Sequence, residues 1–407
     1  MSIFKHLWPQ RKKSLSTWDV FRDMVRGMLS FAGKSVTVEN AIKVSAVFSC
    51  CRVIGEGVAQ VPLKLMQVSK DGKKRVPAVD HPLYDVLANR PNGWQTSFEY
   101  REMLAWHVVL CGQAFSFINR SGSGNILELI PFEPGQVTVK RAEDWSLTYE
   151  VRGKNGDFQT FKQDQIWHLR GPSWNGWQAL SPVTLAREAI GLAMATEESV
   201  GRLHSNGVRP SGMYSVEGSL NETQHASLEK WVHENNAGVE NTGKPLILDR
   251  SAKWINTQMS GVDAQSLETR KFQIEEICRF ARVLPIMVGY SDKAATFASA
   301  EQMFLAHVVH TLAPWYTRFE QSIDANLLTD KDRKAGYYSN FVEEGMMRGS
   351  LKDTKDYLLG LVNGGLMTPN EGRGKLDLNP DDDPESDKLR IPANIVGTVP
   401  DAQGATT

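Results

Sequence analysis

Residues 283–296 read VLPIMVGYSDKAAT, apolar at one end, hinged at Gly289 and polar at the other. An amphipathic run precedes the stretch (263–282, DAQSLETRKFQIEEICRFAR) and another follows it (297–328, FASAEQMFLAHVVHTLAPWYTRFEQSIDANLL). Their period predicts a helical hairpin over roughly 263–328. Helix–helix connections usually take ~2 to 8 residues, so this one is oversized. In the first arm Leu267, Ile274, Ile277, Cys278, Ala281 and Leu284 form one apolar stripe. Asp263, Glu268, Glu275 and Glu276 balance Arg270, Lys271, Arg279 and Arg282 on its other faces. Met303, Phe304, Val308, Leu312, Trp315, Phe319 and Ile323 repeat the stripe in the second arm. Pro314 removes a backbone hydrogen bond there, at ~3 kcal/mol in an intact helix. A sharp bend or short loop is therefore expected at His310–Pro314.

On the N-terminal side, VSAVFSCCRVIGEGVAQVPLKLM (44–66) starts helical and ends extended, and DGKK (71–74) is a turn. HPLYDVLANRPN is a short helix stopped before Pro91, and Phe98–Leu110 a longer one. From Gln113 to Arg170 the sequence alternates as strands: AFSFINR and ILELIPF as a hairpin, then VTVKR, LTYEVR, FQTFK and IWHLR. Residues 179–204 read as a helix with Ser181 as N-cap and Pro182 at its first position. VRPSGMYSVEG is a strand, NETQHASLEKWVHENNAG a helix ended by Gly238, and KPLILDRSAKWINTQ a strand pair. The first 260 residues thus form a mixed α+β body. Toward the C-terminus LKDTKDYLLGLVNGG is helical, and Thr368, Pro369 and Glu371 open a further helix with a capping box. Residues 1–43, with a basic cluster at Arg11, Lys12 and Lys13, read as a flexible arm, and 377–407 as a mobile tail.

The chain of 407 residues is 41% hydrophobic and 23% charged, enough to bury a sizeable core. Its 46 basic and 47 acidic residues leave a formal charge of -1, which argues against gripping nucleic acid or an anionic membrane by bulk charge. The four cysteines, Cys50, Cys51, Cys111 and Cys278, have neither CxxC nor CxxH spacing and fit buried thiols in a reducing setting. The longest apolar run, MLAWHVVLC at 103–111, is too short for a bilayer span of ~20 residues. The N-terminus lacks a secretory apolar core. A soluble protein is expected, with no membrane partner.

Gly238–Lys244 has the GxxxxGK spacing, but Pro245 replaces the hydroxyl residue that would hold magnesium, and a strand pattern follows instead of a helix. No HExxH, GxSxG, GxGxxG or calcium-loop pattern occurs. His168 reads as a packing residue in a strand and His81 as a turn residue. Asp381, Asp382 and Asp383 read as a solvated charge run, and Trp106, Trp167, Trp231 and Trp315 as core. Catalytic residues, metal ligands and cofactors are therefore all expected to be absent, and the chain is not expected to be an enzyme.

Taken in order, SAVFSCCRVIGEGVAQVPLKL, HPLYDVLANRPN, GQAF, DQIWHLRG, ALSPVTLAREAIGLA, NGVRPSG, LETRKFQIEEICRFARVLP, HTLAPWYTRFEQSIDANLL and GGLMTPNEGR resemble the portal proteins of tailed phages with the HK97-type capsid. The resemblance covers about 44–380 and departs from the usual pattern at GQAF and at Leu284-Pro285-Ile286. It implies a ring-forming α+β portal fold of wing, stem, clip and crown. Twelve copies would sit at one capsid vertex, with double-stranded DNA passing through the channel without sequence specificity. Implied partners are the terminase large subunit, major capsid protein or scaffold, and head-completion or adaptor proteins. The implied location is the virion, with host cytoplasm during assembly. By position, 44–262 would be wing, 263–283 and 299–313 stem, 284–298 clip, 314–344 the wing return and 345–376 wing and crown. Ile286, Met287, Val288, Gly289, Tyr290 and Lys293 would then make the intersubunit and terminase-docking tip. His310, Thr311, Leu312, Ala313 and Pro314 would constrict the tunnel, and Arg270, Lys271, Glu275, Arg279 and Arg282 would face the lumen. The competing readings are a DNA-acting enzyme and a monomeric protein-binding module.

Overall fold

Helix α1 (Val38–Ala41) opens with the Thr37 hydroxyl accepting from the Asn40 N–H, and α2 (Ser45–Ala59) follows at once. The computed structural model describes residues 29–69, 74–153, 155–205, 212–215, 221–227, 230, 253–256, 262–290, 297–342, 351–376 and 378–390. It divides into two units, residues 1–341 and 342–407.

In the first unit α2 is the central pillar. Ala46, Val47, Cys50, Cys51, Ile54 and Val58 are buried along it, and it packs on α4 (Ser97–Cys111). Strand β1 (Leu63–Val68) continues from it and pairs antiparallel with β2 (Arg75–Pro77) on one side. Between β2 and α4 lies α3 (Pro82–Ala88), N-capped by His81, whose Nδ1 accepts from the Leu83 N–H at 3.2 Å. The expected turn residue is therefore a helix cap.

Strands β3 (Gln113–Arg120) and β4 (Ile126–Phe132) form the expected hairpin. Next, β5 (Val137–Arg141), β6 (Leu147–Arg152) and β7 (Phe158–Lys162) make a separate antiparallel meander. Strand β8 (Ile166–Arg170) then leaves that meander and pairs with β3, Phe115 opposite His168. Four consecutive residues of β8 are buried, so it needs cover on both faces, which a place beside β3 supplies. Between the two sheets Phe115, Tyr149, Val151, Phe161 and Ile166 form a second core.

The 179–204 segment is broken in two. Pro182 starts α5 (Pro182–Leu185), the backbone turns out of helix at Ala186, and α6 (Arg187–Ser205) resumes. Ser181 stands at the N-cap position, but its hydroxyl caps no backbone N–H; it accepts from Thr184 instead. Residues 29–43, expected to belong to a flexible arm, are structured, and 30–36 pack against α6. The Phe31 N–H donates to Glu188 at 2.7 Å, and Lys34 pairs with Glu198. Gly191 permits that approach, since a Cβ there would stand 2.2 Å from Ser30 Oγ.

Beyond α6 come β9 (Gly212–Ser215) and β10 (Lys253–Asn256), paired antiparallel, then α7 (Val262–Ala281). The helical stretch 222–227 lies between the strands in sequence; the expected stop at Gly238 and the whole KPLILDR segment fall outside the described residues. Helix α8 (Phe297–His307) runs through a π turn (Val308–Leu312) into α9 (Ala313–Asn326). The expected loop at His310–Pro314 is thus replaced by continuous helix. The π turn lets the Ala313 N–H reach the Val308 carbonyl, and Pro314 falls in the first turn of α9, where proline is tolerated. Tyr316, Phe319 and Ile323 are fully buried along α9. After α10 (Asp330–Lys334), β11 (Tyr337–Phe341) closes the sheet on the other side of β1, Leu65 opposite Ser339.

In the second unit α11 (Leu351–Asn363) is followed by α12 (Pro369–Lys375), which carries the expected Thr368–Glu371 capping box. Residues 378–390, expected within a mobile tail, fold back on α12. Asn370 Nδ2 donates to the Asp381 carbonyl at 3.0 Å and to Asp387 at 2.7 Å, and Arg373 Nε donates to the Asn379 carbonyl at 2.7 Å. Among the described residues no helix is long and apolar enough to cross a membrane.

Candidate channel and docking surfaces

Helix α7 packs against α2 and α6. Its buried face carries Gln273, Ile277 and Cys278. Gln273 Nε2 donates to Thr196 of α6 at 3.1 Å, and the Cys278 and Cys50 thiols meet at 4.0 Å. That contact and then burial push the Cys50 thiol well above the ordinary range, and burial raises Cys51 to about 12. These are inert packing thiols, as their sequence setting suggested. Thr196 and Gln273 lie symmetrically about residues 234–235 of the chain, and the β9–β10 pair Gly212↔Asn256 about residue 234. Both contacts are thus nested about one point of the chain, the β9–β10 pair inside the α6–α7 pair.

That is not the expected hairpin. Were 263–283 and 299–313 antiparallel arms with their tip at 284–298, Arg282 would lie opposite about residue 300. Instead Arg282 Nη2 donates to the His310 carbonyl at 3.0 Å, and the Thr311 hydroxyl donates to the Arg282 carbonyl at 2.7 Å. The end of α7 is stitched to the π turn, so 283–309 is an excursion that departs from and returns to one point. The similar apolar stripes of α7 and α8 hid this, because periodicity reports an apolar face and not its partner.

Of the candidate lumen residues, Arg270, Lys271 and Arg279 are exposed and Glu275 half-buried. Arg279 pairs with Glu276 one turn away. Arg282 has a structural task instead, at φ 56 with its guanidinium on the π turn.

Pro285–Val288 forms a 3-10 turn closed by Gly289 at φ 79. Ile286, Met287 and Val288 are half-buried and the turn lies against α2, so the apolar tip expected to make the intersubunit contact has cover within its own protomer. Tyr290 is half-buried as well; Lys293 falls outside the described residues. Among the candidate constriction residues, Thr311 and Leu312 are buried at 5% and 1% exposure and Ala313 is half-buried. Leu312 fills space against α2, where a Cβ on Gly57 would come within 2.7 Å of it. A constriction needs side chains in the channel, so Thr311 and Leu312 are core residues rather than tunnel residues; His310 and Pro314 are exposed. Both line a cavity of about 230 Å³ with Leu185, Phe280 and Trp315.

Sequence reasoning missed the bare apolar surface. Phe272 and Phe280 on α7 are 57% and 38% exposed, and Met303, Phe304, Leu305 and Val309 stand out from α8 and the π turn. The unequal spacing of Phe272 and Phe280 from the buried stripe was the available signal.

The groups tested for chemistry resolve as structure. His168 stacks on Phe115, its Nδ1 and Nε2 meet Tyr149 and Gln113 at 3.3 Å each, and burial drops its pKa to about 3 with help from Arg170. It packs, as its strand position suggested. Trp167 is buried with its Nε1 donating to Ser322, whereas Trp106 and Trp315 are half-buried. Trp231 and the Gly238–Lys244 segment lie outside the described residues. Asp383 caps a short 3-10 turn, Pro384–Asp387. Among the described residues no cluster of His, Cys, Asp or Glu could hold a metal.

The family model for phage portal proteins matches residues 45–377. The chain belongs to the HK97-type phage portal protein family. It is 27% identical to the portal protein of Enterobacteria phage HK97 over 341 residues, covering 83% of this chain and 80% of that one. A chain in the virion of a native gene transfer agent particle superposes with a TM-score of 0.60 at 23% identity, covering 88% of this chain and 94% of that chain. A chain in the neck of the native particle, computed with C12 symmetry, gives 0.56 at 22% identity, with coverage of 88% and 94%. Portal proteins of this family are structural rather than enzymatic, in keeping with a mixed helix-and-sheet portal fold whose buried histidine serves packing.

Proposed function

We propose that the chain is the portal subunit of a tailed-phage-like particle, twelve copies forming a ring at the head–tail neck around a channel for double-stranded DNA. The family match over 45–377 carries this reading, and the likeness to a twelve-fold neck supports the copy number. A near-neutral chain, at formal charge -1, suits a conduit that must let phosphates slide past. The ring would reside in the virion and assemble in host cytoplasm. Its partners would be a terminase large subunit, major capsid protein or scaffold, and head-completion proteins.

The same geometry supports a different regional assignment as our reading. The α6–α7 pair, centred with β9–β10 on one point of the chain, suits the stem, and the strand pair at its far end suits the clip where the motor would dock. The 283–309 excursion, with His310 exposed at its root, suits the channel-facing loop. Arg270, Lys271, Glu275 and Arg279 remain the lumen candidates. Electron microscopy and mass measurement of the purified protein test the reading. A ring near twelve times 45.4 kDa is expected; a monomer in every buffer, or ATP hydrolysis lost on changing Lys244, overturns it.

A further inference from the structure

Between α1, α2 and α4 the first unit holds a groove of about 730 Å³. Ile42, Phe48, Met103 and Trp106 give it an apolar floor, and Phe48 and Trp106 meet edge to face at 5.6 Å. Glu39, Glu99, Glu102 and Glu133 ring it. Arg52 also lines it, but donates through Nε and Nη2 to Glu56 at 2.8 and 2.6 Å. Burial raises the Glu102 pKa, with Glu56 and Glu99 adding to the rise and Arg52 opposing it. The groove therefore asks for an occupant with apolar anchors and several cations.

The chain carries such a segment. Residues 1–13, MSIFKHLWPQRKK, hold Lys5, Arg11, Lys12 and Lys13 and no acid, with Phe4, Leu7 and Trp8 at the spacing of one helix face. From Lys13 to the first described residue, Leu29, sixteen residues can span on the order of 50 Å. The tether joins the groove's own wall along the chain, Glu39 following Leu29 by ten residues. Tethering places the segment at an effective concentration of order millimolar, which a free partner would have to exceed. We propose that the groove takes this chain's own residues 3–13, aromatic and aliphatic side chains on its floor and the cations on its carboxylates. The basic cluster would then serve as an intramolecular latch, with no part in DNA binding.

Carbodiimide cross-linking of the full-length protein, read by peptide mass spectrometry on a mixture of isotopically heavy and light chains, tests this. Lys5, Lys12 or Lys13 should join Glu39, Glu102 or Glu133 within one chain, with the Lys140–Glu150 ion pair as internal control. Glu39→Lys combined with Glu133→Lys, both exposed positions, should lower that yield about tenfold, and about 1 M salt should lower it similarly. The control link should survive both. Heavy–light links would assign the groove to a neighbouring copy and overturn the proposal. So would groove links to lysines outside 5–13, or no groove link where the control link forms.

Discussion

The Thr311 hydroxyl donates to the Arg282 carbonyl at 2.7 Å, a bond between positions 29 apart that fixes both roots of the 283–309 excursion. Arg282 returns a bond to the His310 carbonyl, from a left-handed backbone that non-glycine residues rarely adopt. The excursion is thus held at one point, not paired along α7. Thr311→Val keeps the shape and leaves the carbonyl without its donor, which should cost about 1–3 kcal/mol. Thr311→Ser should recover most of that loss. Denaturant midpoints of the three proteins check it; equal midpoints would mean that water replaces the hydroxyl.

Leu312 discriminates between core and channel. Its side chain closes against α2 beside Gly57, whose carbonyl accepts from the Tyr316 hydroxyl at 2.9 Å. Leu312→Ala should cost about 2–5 kcal/mol through the cavity it leaves. Gly57→Ala alone should overpack the same spot, at about 1–3 kcal/mol. Combined, the two changes should cost less than their sum, because the truncated leucine makes room for the added methyl. Additive losses in a denaturation double-mutant cycle would show that the contact is not shared.

The sequence made the framework legible where local chemistry decides structure. The Thr368–Glu371 box formed as written, and the alternation of AFSFINR and ILELIPF gave β3 and β4. It failed where a partner decides. IWHLR crosses back to β3, because burial on both faces outweighs adjacency to the preceding strand. Leu312 and Phe272 show the same limit from opposite sides: an apolar residue at helical spacing can be core or bare surface, and 1% against 57% exposure is settled by tertiary neighbours. Pro314 misled for a different reason. The ~3 kcal/mol penalty belongs to an intact helix, and the π turn had already removed the bond in question.

Acid should destabilise the fold through its buried histidines. Burial lowers His168 to about 3 and His107 to about 4, from an ordinary 6.5. Below pH ~6.5 the unfolded chain therefore binds protons that the folded chain refuses, and stability falls as the pH drops toward 4 and 3. Each histidine adds a slope of up to about 1.4 kcal/mol per pH unit within that window. His168→Gln should lower stability near pH 7 yet narrow the gap between pH 7 and pH 5. Urea midpoints at the two pH values decide it; an unchanged gap would assign the acid sensitivity to other groups.

Phe272 and Phe280 test the assembly surface. They are eight residues apart on α7, within the angle of one helix face, and outside the buried set of Gln273, Ile277 and Cys278. Fully burying one such ring is worth about 1.5–3 kcal/mol, and a closed ring would repeat that gain at every interface. A charge placed there should block association without touching the protomer core. Phe272→Asp should leave the monomer's thermal midpoint nearly unchanged, since surface changes are usually within about 0.5 kcal/mol, while the ring population collapses in mass photometry. Phe272→Leu should retain rings. If Phe272→Asp still forms rings, α7 does not supply the subunit contact, and the exposed Met303–Leu305 ridge of α8 becomes the next surface to charge.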